Sequence, residues 1–276
     1  MIIVTLTTDF GNKDYFVSTI KAALLSELNN PNIIDISHQI SPYNVTEAAY
    51  ILKNAYKAFP KGTIHLIGVD SELTPENKHL SMFFDGHYFI GADNGIFSLI
   101  LDGKKAEKIV SINIHNNTVS TFPVLDIFVK IAGHISRNGE LEVVGKPANS
   151  ILELTNLNPV INNKDNKILG SVIYIDNYGN VVTNITEKIF KNIGKKREFT
   201  IIARTIKFKK IYNNYSEAID FSLKKDKREE DGKKIALFNT SGHLELAIYK
   251  SNPLTVGSAS TLFGLNYRDP VTIIFN

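Results

Sequence analysis

The 276-residue chain contains no cysteine. That excludes disulfides, a thiolate nucleophile and any cysteine-ligated metal centre. It has no run approaching the roughly 20 apolar residues that span a bilayer. The opening MIIVTLTTDFG turns polar after a few residues and has no basic start, so it does not read as a signal peptide. A cytoplasmic location is the expectation, with no membrane partner. Net charge is also small, +3, and the basic residues are scattered rather than striped, which argues against a nucleic-acid partner. GxGxxG, GxxxxGK[ST] and GxSxG are all absent, so the usual dehydrogenase, kinase and hydrolase signatures are missing. The seven histidines include no pair three or four apart, and no metal set is expected.

What is present is an ordinary globular composition, 43% hydrophobic and 21% charged, enough for one large domain or two smaller ones. Ile2 to Thr7 reads as a buried strand and Tyr15 to Leu28 as a helix. Ile33 to Ile36 reads as a strand, Val45 to Ala58 as a helix capped by Asn44, and Thr63 to Val69 as a strand. This alternation predicts βαβ units and a mainly parallel sheet. Phe83 to Ile90 continues the pattern, with Asp85-Gly86 as its start or turn, and Asp126 to Arg137 reads as a further helix. Beyond an Asn-rich stretch holding Pro159, the pattern changes to short strands with little helix: Lys167–Ile175, Val181–Asn184, Phe199–Phe208, Lys234–Phe238, Leu244–Tyr249 and Val271–Phe275. The expected organisation is an α/β domain over 1–158, a linker over 159–166, and a smaller all-β, barrel-like domain over 167–276. The charged run Lys224 to Lys234 reads as a solvated loop.

Ligands of parallel sheets bind beyond the carboxyl ends of the strands. Asp9, Asp35 and Asp70 fall at such ends. Asp9 either accepts hydrogen bonds from a diol or caps the following helix, and capping is the commoner role for a carboxylate there. Asp93-Asn94-Gly95 and Asp176-Asn177-Tyr178-Gly179-Asn180 are turn sequences that also present polar side chains.

Taken together, seven ordered blocks resemble one family: TLTTDFGNKDYFVSTIKA, IIDISHQISPYNVTEAAYIL, FPKGTIHLIGVD, FIGADNGIFSLI, TFPVLDIF, IDNYGNVVTNI and NTSGHLELAI. They are similar to the S-adenosylmethionine hydroxide adenosyltransferases, relatives of the fluorinase and chlorinase enzymes. The resemblance spans nearly the whole chain. It implies an α/β domain followed by a β-barrel domain, and a homotrimer holding an adenosyl ligand between neighbouring subunits. It also implies cleavage of S-adenosylmethionine by water at C5′ to adenosine and methionine, with no metal or other cofactor. By motif position Asp9 grips the ribose diol, Tyr43 lies beside the ligand, and Thr121 and Phe122 line the ribose pocket. Asp176 takes the methionine ammonium, Tyr178 and Asn180 contact the adenine, Ser241 completes the C-terminal side, and Glu245 can also meet the ammonium.

The water-holding set of that family is Asp, Arg and His. Here the block reads GVDSELTPENKHL, which keeps Asp70 but has Asn77 in place of the Arg. In TFPVLDIF, Pro123 stands in place of the His, and proline offers neither donor nor base. Lys78 and His79 are the candidate substitutes, with Glu72 as a partner. Three outcomes are open: hydrolysis with an altered water-binding set, binding of adenosine or S-adenosylmethionine without hydrolysis, or transfer of the adenosyl group to another nucleophile.

Overall fold

The structure is a computed structural model that describes residues 2–114, 120–154, 158–162, 164 and 166–276. The chain forms two compact units, residues 1–154 and 155–276.

The first unit is a seven-stranded sheet with strands β1 (Ile3–Thr8), β2 (Asn32–Ser37), β3 (Ile64–Gly68), β4 (His79–Phe84), β5 (His87–Ala92), β6 (Lys108–Ile112) and β7 (Gly145–Pro147), in the order β2-β1-β3-β5-β4-β6-β7. β2, β1, β3 and β5 run parallel, and β4, β6 and β7 pair antiparallel to their neighbours. Helices α1 (Phe16–Glu27) and α4 (Val129–Ser136) cover one face, and α2 (Val45–Ala55) and α3 (Ile96–Leu101) cover the other. Two cores result. One gathers Val4, Leu6, Ile20, Leu24 and Phe128, and the other gathers Leu52, Tyr56, Ile67, Phe89 and Phe97. Every residue of β1 is buried, as its β-branched composition implied.

Local chemistry explains most boundaries. Asn44 does cap α2, its Oδ1 accepting the Glu47 N–H at 3.1 Å. Asp85 and Gly86, both left-handed, form the two-residue turn of the β4–β5 hairpin, the turn reading of that pair. The helix expected from Asp126 instead opens as a π-helical turn, Val124–Phe128, that continues into α4. The α3 helix and strands β6 and β7 were not expected. Asp35 lies inside β2 rather than at its end, and its carboxylate is held by Lys21 at 2.6 Å and His38 at 3.0 Å. Those partners hold its carboxyl below the usual range against the opposing effect of burial, and Asp35 belongs to an ion pair, not to a site.

The second unit contains β8 (Val160–Ile161), β9 (Lys167–Ile175), β10 (Val181–Thr186), β11 (Phe199–Ala203), β12 (Ile206–Phe208), β13 (Lys234–Phe238), β14 (His243–Ile248) and β15 (Pro270–Phe275). They pair antiparallel in the order β12-β11-β15-β9-β10-β14-β13, with β8 added to β9. The edge strands β12 and β13 approach each other, so the sheet is a nearly closed barrel around Val172, Val181, Leu246, Phe263 and Ile273. The expected linker includes β8, because Val160 and Ile161 pair with Leu169 and Ile168; residues 155–157, 163 and 165 of the Asn-rich stretch lie outside the described residues. Two short helices correct the all-strand expectation: α5 (Glu187–Gly194), capped by Thr186, and α6 (Ala259–Phe263), opened by a Ser258–Thr261 capping box. Among the described residues no helix is long and apolar enough to cross a membrane.

Candidate functional site

In the first unit the site grows from the carboxyl ends of β1 and β3. Asp9 follows β1 directly, and Asp70 lies two residues past β3. Asp9 is not a helix cap: α1 starts behind Tyr15 with no side-chain cap. Its Oδ2 instead accepts the N–H of Tyr43 at 2.9 Å and, at the long limit of 3.5 Å, the N–H of Asp70. Among the described residues no protein donor reaches Oδ1. One carboxylate oxygen is therefore engaged by backbone N–H groups, and the other can accept further hydrogen bonds.

Asp70 and Tyr43 both have positive φ, 44° and 61°. Left-handed backbone at a non-glycine residue persists only where neighbours over-determine it. Asn94 supplies that constraint from the turn before α3. Its Nδ2 donates to the carbonyls of Val69 at 2.9 Å and Asp70 at 3.2 Å, while its Oδ1 accepts the Ile96 N–H. Asn77 grips the same loop from the far side, donating to the carbonyls of Asp70 and Glu72 at 3.1 and 3.0 Å. Burial pushes the Asp70 carboxyl up, and the charges of Asp9 and Glu72 push it further. Among the described residues Asp70 has no ion-pair partner.

Of the two candidate substitutes, His79 is wholly buried at the start of β4. Its Nε2 lies 2.9 Å from the Ser71 carbonyl and its ring packs edge-on against Phe128. This geometry makes it a brace for the 70–77 loop. Lys78 is exposed, and its charge acts on Asp93; burial raises that carboxyl, while the Leu152 N–H and Lys78 pull it back. The Phe122 ring stacks edge-on with Phe10 and Phe16, at centroid separations of 5.6 and 5.2 Å, beside Asp9. Thr121 is exposed one residue earlier. Pro123 precedes the π-turn, and Val124 packs so closely on Gly68 that a Cβ there would sit 3.0 Å from it. The TFPVLDIF block thus lies over the carboxyl end of β3. Tyr43 is 75% exposed, leaving its ring accessible.

In the second unit the expected residues also gather. Asp176 anchors the β9–β10 turn: its Oδ1 accepts the N–H groups of Tyr178 and Asn180 at 2.9 and 2.8 Å, and its Oδ2 accepts the Asn180 side chain at 3.0 Å. Gly179 is required there, since its φ is 73° and a Cβ would meet Ser258 Oγ at 2.2 Å. The turn presents Tyr178, 66% exposed. Glu245, on β14 beside β10, is 4% exposed. Its Oε1 accepts the Tyr215 hydroxyl and its Oε2 accepts the Asn239 amide at 3.2 Å. Burial raises the Glu245 carboxyl, its two hydrogen bonds oppose that, and the Asp176 charge adds to it. Asn239 Oδ1 in turn accepts the Ser241 N–H, the Ser241 hydroxyl and the His243 N–H. A buried carboxylate raised by burial and by the Asp176 charge, with only neutral donors around it among the described residues, favours a cationic ligand. Asn77, Asn94, Tyr215 and Asn239 were not singled out as site residues. Asn94 and Asn239 stand in the ADNG and NTSG turns, a signal that could have found them; Tyr215 carries none. Among the described residues no group of three His, Asp or Glu could hold a metal ion; His115 lies outside them.

Asp9→Ala is expected to weaken adenosine binding more than tenfold by calorimetry, because hydrogen bonds to a charged group are worth about 1.5–3 kcal/mol. An unchanged dissociation constant would reduce Asp9 to a brace for Tyr43.

Comparison with known proteins agrees with this layout. Residues 4–145 match the SAM hydroxide adenosyltransferase N-terminal domain, and residues 170–272 match its C-terminal domain. The chain is 30% identical to the (R)-S-adenosyl-L-methionine hydrolase of Methanocaldococcus jannaschii, over 99% of this chain and 96% of that protein. It is 23% identical to the enzyme of the same name from Thermus thermophilus, over 97% of each. The crystal structure of an uncharacterized conserved protein from Thermotoga maritima superposes with a TM-score of 0.82 at 26% identity, covering 99% of this chain and 100% of that one. With both domain models matched in order over most of its length, the chain belongs to the SAM hydroxide adenosyltransferase family.

Proposed function

We propose that this protein is an S-adenosyl-L-methionine hydrolase acting on the (R) sulfonium epimer. Water attacks C5′, the C5′–S bond breaks, its electron pair returns to sulfur as the thioether of methionine, and the water's second proton is released. The products are adenosine and L-methionine. The observation that carries this reading is the pairing of Asp9, one oxygen fixed and one available, with Asp70, a carboxylate without a cation, at the ends of adjacent strands. Full-length similarity to named hydrolases supports it.

In this reading Asp9 holds the ribose diol, with Phe122, Thr121 and Tyr43 around the sugar, and Asp70 accepts a hydrogen bond from the attacking water. Asp176 and Glu245 receive the methionine ammonium, Ser241 completes that side, and Tyr178 and Asn180 meet the adenine. The sulfonium is already a good leaving group, so positioning and exclusion of bulk water carry the catalysis. The reaction needs no metal or other cofactor, and a cytoplasmic homotrimer with ligand shared between copies is the assembly we propose. The test is incubation with each sulfonium epimer separately, followed by chromatography. Equal adenosine and methionine from the (R) epimer is the expected result, at a rate below that of relatives with Arg and His in place of Asn77 and Pro123. An adenosyl compound accumulating in place of adenosine would assign a different nucleophile.

A further inference from the structure

Glu245 is a buried carboxylate whose two oxygens are each held by a different neutral donor, Tyr215 and Asn239. Asn239 is fixed by the β13–β14 turn, where its own oxygen takes three further hydrogen bonds. Tyr215 comes from elsewhere, the long segment between β12 and β13. That segment is tied to the barrel independently of the Tyr215 hydroxyl: Tyr212 bridges to Leu237, and Ala218 packs with Ile235, Leu237 and Ala247. The Tyr215 ring itself is 41% exposed. Its hydroxyl donates to Glu245 Oε1.

We propose that Tyr215 is a positioning residue for ligand binding, holding the Glu245 carboxylate so that its remaining lone pairs, together with Asp176, meet a primary ammonium. This rests on the hydrolase reading above. A primary ammonium carries three N–H donors and one positive charge, which fits two carboxylates that otherwise face only neutral groups. Without the phenol, Glu245 can rotate or take up a proton, and the ammonium loses an aligned acceptor. Because the ammonium lies far along the methionine chain from C5′, the loss falls on binding of substrate and transition state alike.

The experiment uses the full-length protein and three variants: Tyr215→Phe, Glu245→Gln and the double variant. Tyr215→Phe is expected to raise KM for S-adenosylmethionine about tenfold, with kcat within about twofold. Calorimetry should show weaker L-methionine binding and unchanged adenosine binding. In the Glu245→Gln background, Tyr215→Phe should add little, because the two act as one unit. A general structural role would weaken adenosine binding as well, or add fully to Glu245→Gln, and either result overturns the proposal. So does an unchanged KM in Tyr215→Phe when the wild type turns over substrate. A wild type that binds neither S-adenosylmethionine nor adenosine overturns the hydrolase reading itself.

Discussion

Asp70→Asn should lower kcat for S-adenosylmethionine hydrolysis by about 10²–10⁴-fold while leaving the fold intact, the range for losing one oriented group that handles a proton in the transition state. Asparagine is the informative replacement. Residue 70 has φ 44°, and Asn and Asp tolerate left-handed backbone where Ala does not. The loop is held through the residue 70 carbonyl by Asn77 and Asn94, which the substitution leaves in place. An amide keeps the shape and removes the charge. The pH dependence follows from the same carboxylate. Burial first, then the charges of Asp9 and Glu72, raise its pKa. Water needs the ionised form as acceptor, so activity should fall as pH drops through a midpoint above the ordinary carboxylate range. Glu72→Gln removes one of the like charges, so the acid limb should move to lower pH. Wild-type kcat in Asp70→Asn would remove Asp70 from the reaction.

Much of this site was legible because its residues sit in short turns with strong local signatures. Asp9 after a β-branched strand, Asp93-Asn94-Gly95, and the Asp176–Asn180 turn each announce themselves by composition. What these residues do was less legible, since the partner decides it. Asp9 looks like a cap until the Tyr43 N–H arrives from 34 residues away. Asp35 looks like a strand-end carboxylate until Lys21 and His38 claim it. The sequence marks His79 as a candidate base but not its burial, nor the Ser71 carbonyl 2.9 Å from its Nε2. The missed elements have a different cause. In α3 the run Ile96–Leu101 is six residues, five of them buried, and a short apolar run carries no period that separates helix from strand. Before α5 the β-branched residues of β10 favour an extended reading, taken here to Asn184, and the helix start rests on the Thr186 hydroxyl, which accepts the Ile189 N–H. The π-turn at Val124–Phe128 replaces one helical register with another, which no propensity scale distinguishes.

The first unit is expected to lose stability steeply in mild acid, and His65 is the reason. Its imidazole is fully buried on β3, stacked on Phe89 with centroids 4.8 Å apart and flanked edge-on by Tyr56 and Phe59. Its Nδ1 lies 2.7 Å from Thr5 Oγ1 and its Nε2 3.2 Å from His87 Nδ1. His87 leads outward to the Asp85 turn, where Lys61 pairs with Asp85. No carboxylate touches His65 to offset a positive charge among the described residues. Burial, and next the neighbouring His87, lower its pKa to about 3 from 6.5. The sign follows directly. Between pH 6.5 and about 3 the unfolded chain binds a proton that the folded chain refuses, so stability is complete above pH 6.5 and lost as pH falls. Each pH unit in that window costs about 1.4 kcal/mol, or about 2 kcal/mol at pH 5, which is a large part of a typical domain's margin. His87, also lowered by burial, acts in the same direction. His65→Gln keeps a polar partner for Thr5 but cannot titrate, so it should flatten the slope even if it lowers stability at pH 7. Hydrogen exchange of the β1 and β3 amides from pH 7 to pH 5, corrected for the intrinsic rate, reports on this unit alone. Parallel slopes for the wild type and His65→Gln would show that the proton is taken up elsewhere.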